Sequence, residues 1–334
     1  MLNQTSTNPF LFVCGVPRSG TTLLQRMLNA HPKLAVANDS HFIPRALELT
    51  RANLVDDAIA GRNISICEDL QNKTFNYHRF YRLGISKEQF QQIANNSDNY
   101  RQLVSGIYDQ FARNDGKRLG GEKTPDYVRR LTLLHSLFPS AKLVHIVRDG
   151  RNVALSLLQW AKPNKGPGRI ALWEKSPIAV CALWWKWLVD AGTKQSNSIS
   201  PETFRAVQYE SLIRSPRETM ENLCCFLEID FEEWMLQFNK DKVVPNSGLS
   251  AKNAWLPPTQ GLRDWRRDLA DDDVALFQEL AGESLVKHGY ELHSTNVSSK
   301  VSKLAAQCKY WWSENFLSKH SPDPSTKPTY QTAK

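Results

Sequence analysis

Phe10-Leu-Phe-Val-Cys14, Gly15-Val-Pro-Arg-Ser-Gly20 and Thr21-Thr22-Leu23-Leu24 follow one another without a break, and their reading decides the fold. The first block is a continuous apolar run of strand length, the kind found in a parallel sheet covered on both faces. The second is loop chemistry. From Thr21 the pattern turns helical, with Leu23, Leu24, Met27 and Leu28 on one side, and ends near His31-Pro32. Strand, glycine loop and helix form the Walker A frame, GxxxxGK[ST], with Gly15 and Gly20 at the right separation. Gly20 lets the backbone approach an anion, the amides from Ser19 to Thr22 point toward it, and the helix N-terminus adds positive potential. Thr21, however, stands where the lysine belongs. An NTPase without that lysine loses its β/γ-phosphate contact. Arg18 supplies charge from a different place, so the frame predicts a nucleotide's terminal anion and argues against ordinary ATP or GTP hydrolysis.

Outward from this block the alternation repeats. The pattern predicts a helix over Tyr127–Phe138 stopped by Pro139, a strand over Lys142–Val147, a helix over Asn152–Trp160 and a strand over Phe204–Gln208. Ser215-Pro216-Arg217-Glu218 opens a further helix with a capping-box pattern and proline at its first position. Asp271-Asp-Asp273 starts another, which runs to about His288 with Gly289 as its stop. Strands alternating with helices predict an α/β fold with a mostly parallel central sheet and P-loop-like three-layer architecture. Residues 48–118 and 161–200 read as helical or irregular insertions. The division expected is a domain over 8–293, a C-terminal helix within 294–320 packed on it, and a disordered Pro/Ser/Thr/Lys-rich tail over 321–334. That helix rests on the stripe Val301, Leu304, Cys308, Trp311 and Trp312, for which membrane-surface docking is the alternative.

The chain has 334 residues, 41% hydrophobic and 23% charged, with a formal charge of +8. The balance is that of a globular protein and excludes disordered and fibrous classes. Six cysteines without CxxC or Cys/His metal spacing exclude a disulfide scaffold and a structural zinc site. No apolar run approaches the roughly 18 residues of a membrane span. Residues 1–14 lack the basic region and apolar length of a signal peptide, so a cytoplasmic location is expected. The four Asn-x-Ser/Thr sequons at Asn63, Asn72, Asn95 and Asn296 carry little weight in that setting. The positive charge suits an acidic partner, but no basic stripe with interleaved aromatics and no reader motif points to nucleic acid.

A second phosphate-like segment follows the predicted strand 142–147: Arg148-Asp-Gly-Arg-Asn-Val-Ala-Leu-Ser156. Asp149 could pass for a Walker B carboxylate, yet Arg148 and Arg151 on either side suit a phosphate better than a metal. Ser156, on the next helix, could join Arg148 on one phosphate.

The two segments together resemble the sulfotransferases that use 3′-phosphoadenosine 5′-phosphosulfate (PAPS). Pro17-Arg-Ser-Gly-Thr-Thr22 is similar to their 5′-phosphosulfate loop, and Arg148–Ser156 to their 3′-phosphate segment. Gly15–Leu23, Ala30-His31-Pro32, Ile43-Pro44-Arg45, Leu137–Lys142 and Tyr209-Glu210 follow the tyrosylprotein branch in kind and spacing. The resemblance runs from about Phe10 to Leu292. It implies that Arg18, Ser19, Gly20, Thr21 and Thr22 hold the phosphosulfate, that Arg148 and Ser156 hold the 3′-phosphate, and that Tyr209 lies near the adenosine. Arg151 is a further candidate for the same anion.

Sulfuryl transfer to a hydroxyl needs a base for the acceptor's proton and cations for charge on the bridging oxygen. The branch places a glutamate where Asp39 stands here, so the resemblance implies Asp39 as base, with His41 as runner-up. Lys123, in Gly121-Glu-Lys-Thr-Pro125, matches the branch's catalytic lysine, and Arg18 is expected to assist it. A late serine of the branch maps to Ser247 or Ser250, with Ser250 favoured by its spacing to Trp265. No metal is implied. Two departures count against protein-tyrosine sulfation as such: Trp160 replaces a basic residue, and the branch's membrane anchor is missing. The aromatics Trp173, Trp184, Trp185 and Trp187 could line an acceptor pocket, although helical spacing favours the core. The implied function is sulfuryl transfer from PAPS to a peptide tyrosine, a glycan or a small alcohol or phenol. The alternatives are a P-loop kinase or NTPase, which requires magnesium and ATP, and a binding module without chemistry.

Overall fold

The computed structural model describes residues 8–51, 53–161, 165–239, 263–294 and 297–320. Five strands form one sheet: β1 (Leu11–Gly15), β2 (Leu34–Asn38), β3 (Leu119–Lys123), β4 (Lys142–Val147) and β5 (Phe204–Gln208). Their order is β2-β3-β1-β4-β5 and every pairing is parallel. The strands therefore share one carboxyl edge, where a parallel α/β sheet places its ligands. β1 lies at the centre. Its Val13 is opposite both Lys123 of β3 and Val144 of β4.

Although β1 is uniformly apolar, its side chains alternate between two cores. Phe12 and Cys14 join Tyr108, Tyr127, Leu143 and the helices Pro177–Ser196 and Asp271–Lys287 on one face. Leu11 and Val13 join Leu24, Met27, Leu28 and the helix Pro216–Leu227 on the other. The result is the three-layer arrangement predicted from sequence.

The predicted strands at β1, β4 and β5 form within one residue of their expected bounds. The helix after the glycine loop spans Thr21–Asn29, with Leu23, Leu24, Met27 and Leu28 buried. Four details differ. β2 and β3 were not anticipated: Leu34-Ala-Val-Ala-Asn38 is short and alanine-rich, and β3 carries two glycines and two charges. Those glycines are needed for close approach. A Cβ on Gly120 would lie 2.4 Å from Tyr108 O, and one on Gly121 would lie 2.5 Å from Leu11 O. The expected helix over 127–138 is instead a 3₁₀ turn, Pro125–Arg129, and a short helix, Leu131–Leu137, broken at Arg130 (φ −129°). The break lets Arg129 pair with Asp126 while Arg130 reaches Glu48 at 2.6 Å. Pro216 opens its helix, but the capping box does not form. Ser215 also closes the preceding helix, its amide bonding Ser211 O, and its hydroxyl makes no cap bond.

The stretch 161–200 is more than an insertion, since its twenty-residue helix Pro177–Ser196 covers the sheet. Within it Trp185 and Trp187 are buried in the core, as helical spacing favours, and Trp173 and Trp184 are partly buried against the same core. The Arg129 guanidinium lies 4.7 Å from the Trp187 ring centre, and Phe316 meets the same ring edge-to-face. The C-terminal helix Ser299–Trp312 buries Val301, Ala305, Cys308 and Trp312 against Pro177–Ser196 and Asp271–Lys287. All six cysteines are free. No helix among the described residues is long and apolar enough to cross a membrane.

Candidate functional site

At the end of β1 the chain turns tightly, with Ser19 N bonded to Val16 O at 3.0 Å. Arg18 adopts φ 80° and Gly20 φ 94°, both in the left-handed region. A side chain at Gly20 would also strike the Tyr209 ring, whose Cδ2 would lie 2.4 Å from its Cβ. Gly20 caps the helix Thr21–Asn29 without a side-chain acceptor, and no acid sits in its first turn. That leaves the opening amides as donors. Ser19 is fully buried, and its hydroxyl has no hydrogen-bond partner among the described residues.

Three arginines gather at this turn. Arg18 donates from Nε to Ser156 Oγ at 2.8 Å, and Arg148 donates from Nη1 to Arg18 O at 3.3 Å. The Arg148 guanidinium lies 4.1 Å from the Tyr209 ring centre, and Trp185 Nε1 donates to Arg148 O. Burial first, then the charges of Arg263 and Arg148, push Arg18 down to about 10. Burial and Arg148 likewise lower Arg263. The Nε atoms of Arg148 and Arg263 are buried with no partner among the described residues, and neither arginine has an ion pair there. Arg18, Ser19, Gly20, Arg148, Ser156 and Tyr209 are thus brought together, with Thr21 and Thr22 on the adjoining first turn. Arg263 joins them unannounced, because it belongs to neither motif.

Arg151 does not belong to this group. It is 1% exposed and its fork grips Asp149 through Nε and Nη2, at 3.0 and 2.8 Å, with Gln278 and Glu291 O taking its remaining reach. Trp265 donates its Nε1 to the same carboxylate. Sequence proximity to Arg148 was misleading: an adjacent aspartate satisfies Arg151 before any ligand can. The same pairing removes Asp149 as a Walker B carboxylate. Among the described residues no group of three or more His, Cys, Asp or Glu could hold a metal.

A second cluster occupies the carboxyl edge at β2 and β3. Lys123 is 5% exposed, and burial pushes its ammonium down to about 8 despite the opposing charges of Asp39 and Glu122. Among the described residues no acceptor lies within hydrogen-bond distance of its Nζ. Beyond β2, Asp39 (φ 59°) and His41 (φ 60°) both take the left-handed conformation. Asp39 Oδ1 accepts from His41 Nε2 at 2.9 Å. Its Oδ2 accepts from Arg79 and Arg82, at 3.0 and 3.2 Å. Burial acts to raise the Asp39 carboxyl, but His41, Lys123 and Arg79 overcome it and hold the group below the usual carboxylate range. Because an ionised carboxylate only accepts, His41 Nε2 is the donor in that bond.

Arg79 precedes the 3₁₀ turn Phe80–Leu83 and Arg82 lies within it, inside the stretch 48–118, which carries no sequence motif. Glu122 was likewise missed as a functional residue, though it stood in view beside Lys123. Ser247 and Ser250 lie outside the described residues.

Known proteins resemble this chain in sequence and in fold. A family profile described as the sulfotransferase family matches residues 9–233. Protein-tyrosine sulfotransferase A of Caenorhabditis elegans is 25% identical over 292 residues, covering 85% of this chain and 68% of the relative. The protein-tyrosine sulfotransferase of Drosophila melanogaster is 25% identical over 327 residues, covering 92% of this chain and 58% of the relative. The chain thus spans little more than half of the fly enzyme. Among solved structures, the sulfotransferase domain from the curacin biosynthetic pathway superposes with a TM-score of 0.50 at 21% identity, covering 90% of this chain and 97% of that one. It supports the fold.

Proposed function

The chain belongs to the sulfotransferase family, and from that premise we propose that it transfers the sulfuryl group of PAPS to an acceptor hydroxyl. The observation that carries the proposal is the arginine cluster at the glycine turn. A buried Ser19 hydroxyl and two buried guanidinium Nε atoms lack partners among the described residues beside an uncapped helix N-terminus. Buried donors left unmade are costly, so an anion is the natural complement. A ligand with phosphosulfate at one end and phosphate at the other supplies charge for Arg18, Arg148 and Arg263 together.

PAPS supplies an activated sulfuryl group on a phosphosulfate anhydride; the remaining work falls to the protein. Arg18, Ser19, Thr21 and Thr22 bind the phosphosulfate end, Arg148 and Ser156 the 3′-phosphate, with Tyr209 beside Arg148. Lys123 stabilises negative charge on the departing oxygen, with Arg18 assisting. Asp39 and His41 handle the acceptor's proton as a pair. The cations around Asp39 keep it anionic and weaken it as a base, so His41 receives the proton and Asp39 stabilises the imidazolium. No metal enters this scheme.

For the acceptor, the two relatives are named for protein tyrosine, which makes a tyrosine-bearing peptide the first class to test. The test is transfer of labelled sulfate from PAPS to tyrosine peptides, glycans and small phenols or alcohols, without added metal. Label in any acceptor at catalytic turnover is the expected result. Release of phosphate from ATP with magnesium, and no label transfer, would overturn the proposal in favour of an NTPase. Binding of adenosine 3′,5′-bisphosphate without transfer to any class would reduce the chain to a binding module.

A further inference from the structure

Glu122 receives more hydrogen bonds than the chemistry proposed above calls for. It is 0% exposed, on β3, where its register partners are Phe12 of β1 and Ala37 of β2. Successive strand residues point to opposite faces, so Glu122 and its neighbour Lys123 lie on opposite sides of the sheet. One carboxylate oxygen, Oε1, accepts from Ser40 N at 2.6 Å, Ser40 Oγ at 2.7 Å, His41 N at 3.1 Å and Thr124 Oγ1 at 2.5 Å. The other, Oε2, accepts from the Tyr108 hydroxyl at 2.5 Å and the Tyr127 hydroxyl at 3.2 Å. Six donors face one group, which is the environment of an ionised carboxylate. Both tyrosines are raised well above their ordinary values by burial and then by the Glu122 charge.

The bonds to Ser40 and His41 fall within the turn that holds the two left-handed residues, Asp39 and His41. A main-chain bond from Asp39 N to Lys123 O, at 2.7 Å, ties the same turn to β3. Non-glycine residues in that conformation are strained and persist only where their surroundings hold them. Glu122, through Ser40 and the His41 amide, is one of the groups that hold them, beside the Lys123 carbonyl and the Arg79 and Arg82 guanidinium groups on Asp39. Its charge, with that of Asp39, acts on Lys123 in the direction that keeps the ammonium protonated, against burial and the charges of Arg82 and Arg26.

We infer that Glu122 is a positioning residue with two separable duties: it locks the Asp39–His41 turn in its proton-accepting arrangement, and it supplies a buried negative charge that supports protonated Lys123. The inference rests on the sulfuryl-transfer proposal for its kinetic arm, and its spectroscopic arm is independent of it. Gln keeps the acceptor oxygen and removes the charge; Asp keeps the charge and loses the reach. With the full chain, Glu122→Gln is expected to bind adenosine 3′,5′-bisphosphate as the parent does and to show an alkaline limb of kcat moved to lower pH. Glu122→Asp is expected to keep the alkaline limb and to lose roughly ten- to a hundredfold in kcat at unchanged donor KM. In ¹³C NMR of lysine-labelled protein, the titration of Lys123, assigned through Lys123→Arg, moves to lower pH in Glu122→Gln whether or not an acceptor is known. Unchanged Lys123 titration together with parental kcat and pH profile in both variants would overturn the inference. Should either fail to fold, Ser40→Ala removes one donor to Oε1 and leaves the backbone bond. A several-fold fall in kcat at constant donor affinity supports the inference there, and parental kinetics contradict it. A parent enzyme without transfer activity would remove the kinetic arm and the proposed function, leaving the Lys123 titration to decide on Glu122.

Discussion

At the β1 end of the carboxyl edge, three arginines crowd together, and buried donors on Arg148, Arg263 and Ser19 meet no acceptor among the described residues. At the β3 end, Asp39 is held by His41, Arg79 and Arg82, and Glu122 takes six donors. The first cluster leaves buried donors unsatisfied among the described residues, and the proposed anion would complete it. The second is complete in itself and differs only at Lys123, whose ammonium is buried but has no acceptor within bonding distance among the described residues. Under the proposed function the contrast would separate binding from chemistry: the arginine cluster would gain stability from its ligand, whereas the Asp39–Glu122 cluster is preorganised and leaves one cation for the reaction.

The largest effect should come from breaking the proton-handling pair. Asp39→Asn and His41→Gln are each expected to lower kcat by about 10²–10⁴-fold, with the double variant little worse than either. Binding of adenosine 3′,5′-bisphosphate should be unchanged in all three by calorimetry. Full transfer in His41→Gln with loss in Asp39→Asn would return the base role to Asp39 alone. Next, Lys123→Met should cost about 10²–10³-fold in kcat. It should also raise the melting temperature at pH 7. Burial has brought the Lys123 pKa below its unfolded value, to about 8. The native state therefore binds fewer protons between about pH 8 and the ordinary lysine range, and its stability rises with pH there. The advantage of the methionine variant should accordingly close across that window.

Arg148→Ala should weaken adenosine 3′,5′-bisphosphate by about 1.5–3 kcal/mol, the worth of hydrogen bonds to a charged group, while leaving the ligand-free melting temperature near the parent's. A large fall in ligand-free stability would mean that Arg148 is a structural cation after all. The smallest effect is expected from Arg79→Ala with Arg82→Ala. The Asp39 carboxyl lies below its unfolded value, so its ion pairs contribute stability above the carboxylate range that is lost as pH falls through it. These partners are partly exposed, so the loss at pH 7 should be about 1 kcal/mol and shrink progressively as pH falls below the ordinary aspartate range, measured by urea unfolding.

What the sequence disclosed follows the same division. Strands β1, β4 and β5 are rich in apolar and β-branched residues, and the glycine turn has a spacing set by backbone geometry, so both could be read locally. β3 could not, since Gly120, Gly121, Glu122 and Lys123 look like a loop until Tyr108 and Leu11 are seen against the glycines. Arg18 and Arg148 announced themselves through motifs. Arg79, Arg82 and Arg263 did not, because their roles depend on partners some forty to over a hundred residues away. Arg151 failed in the opposite sense: a convincing neighbour in sequence turns inward to Asp149.

As proposed, the arginine cluster is built for a nucleotide carrying 3′- and 5′-anions and needs no magnesium. Calorimetric titration of the protein with adenosine 3′,5′-bisphosphate, and separately with ATP and magnesium, tests it most directly. Metal-independent binding of the bisphosphate is expected at least tenfold tighter than ATP, a margin of about 1.4 kcal/mol. Tighter binding of magnesium-ATP, or no binding of the bisphosphate, would contradict it.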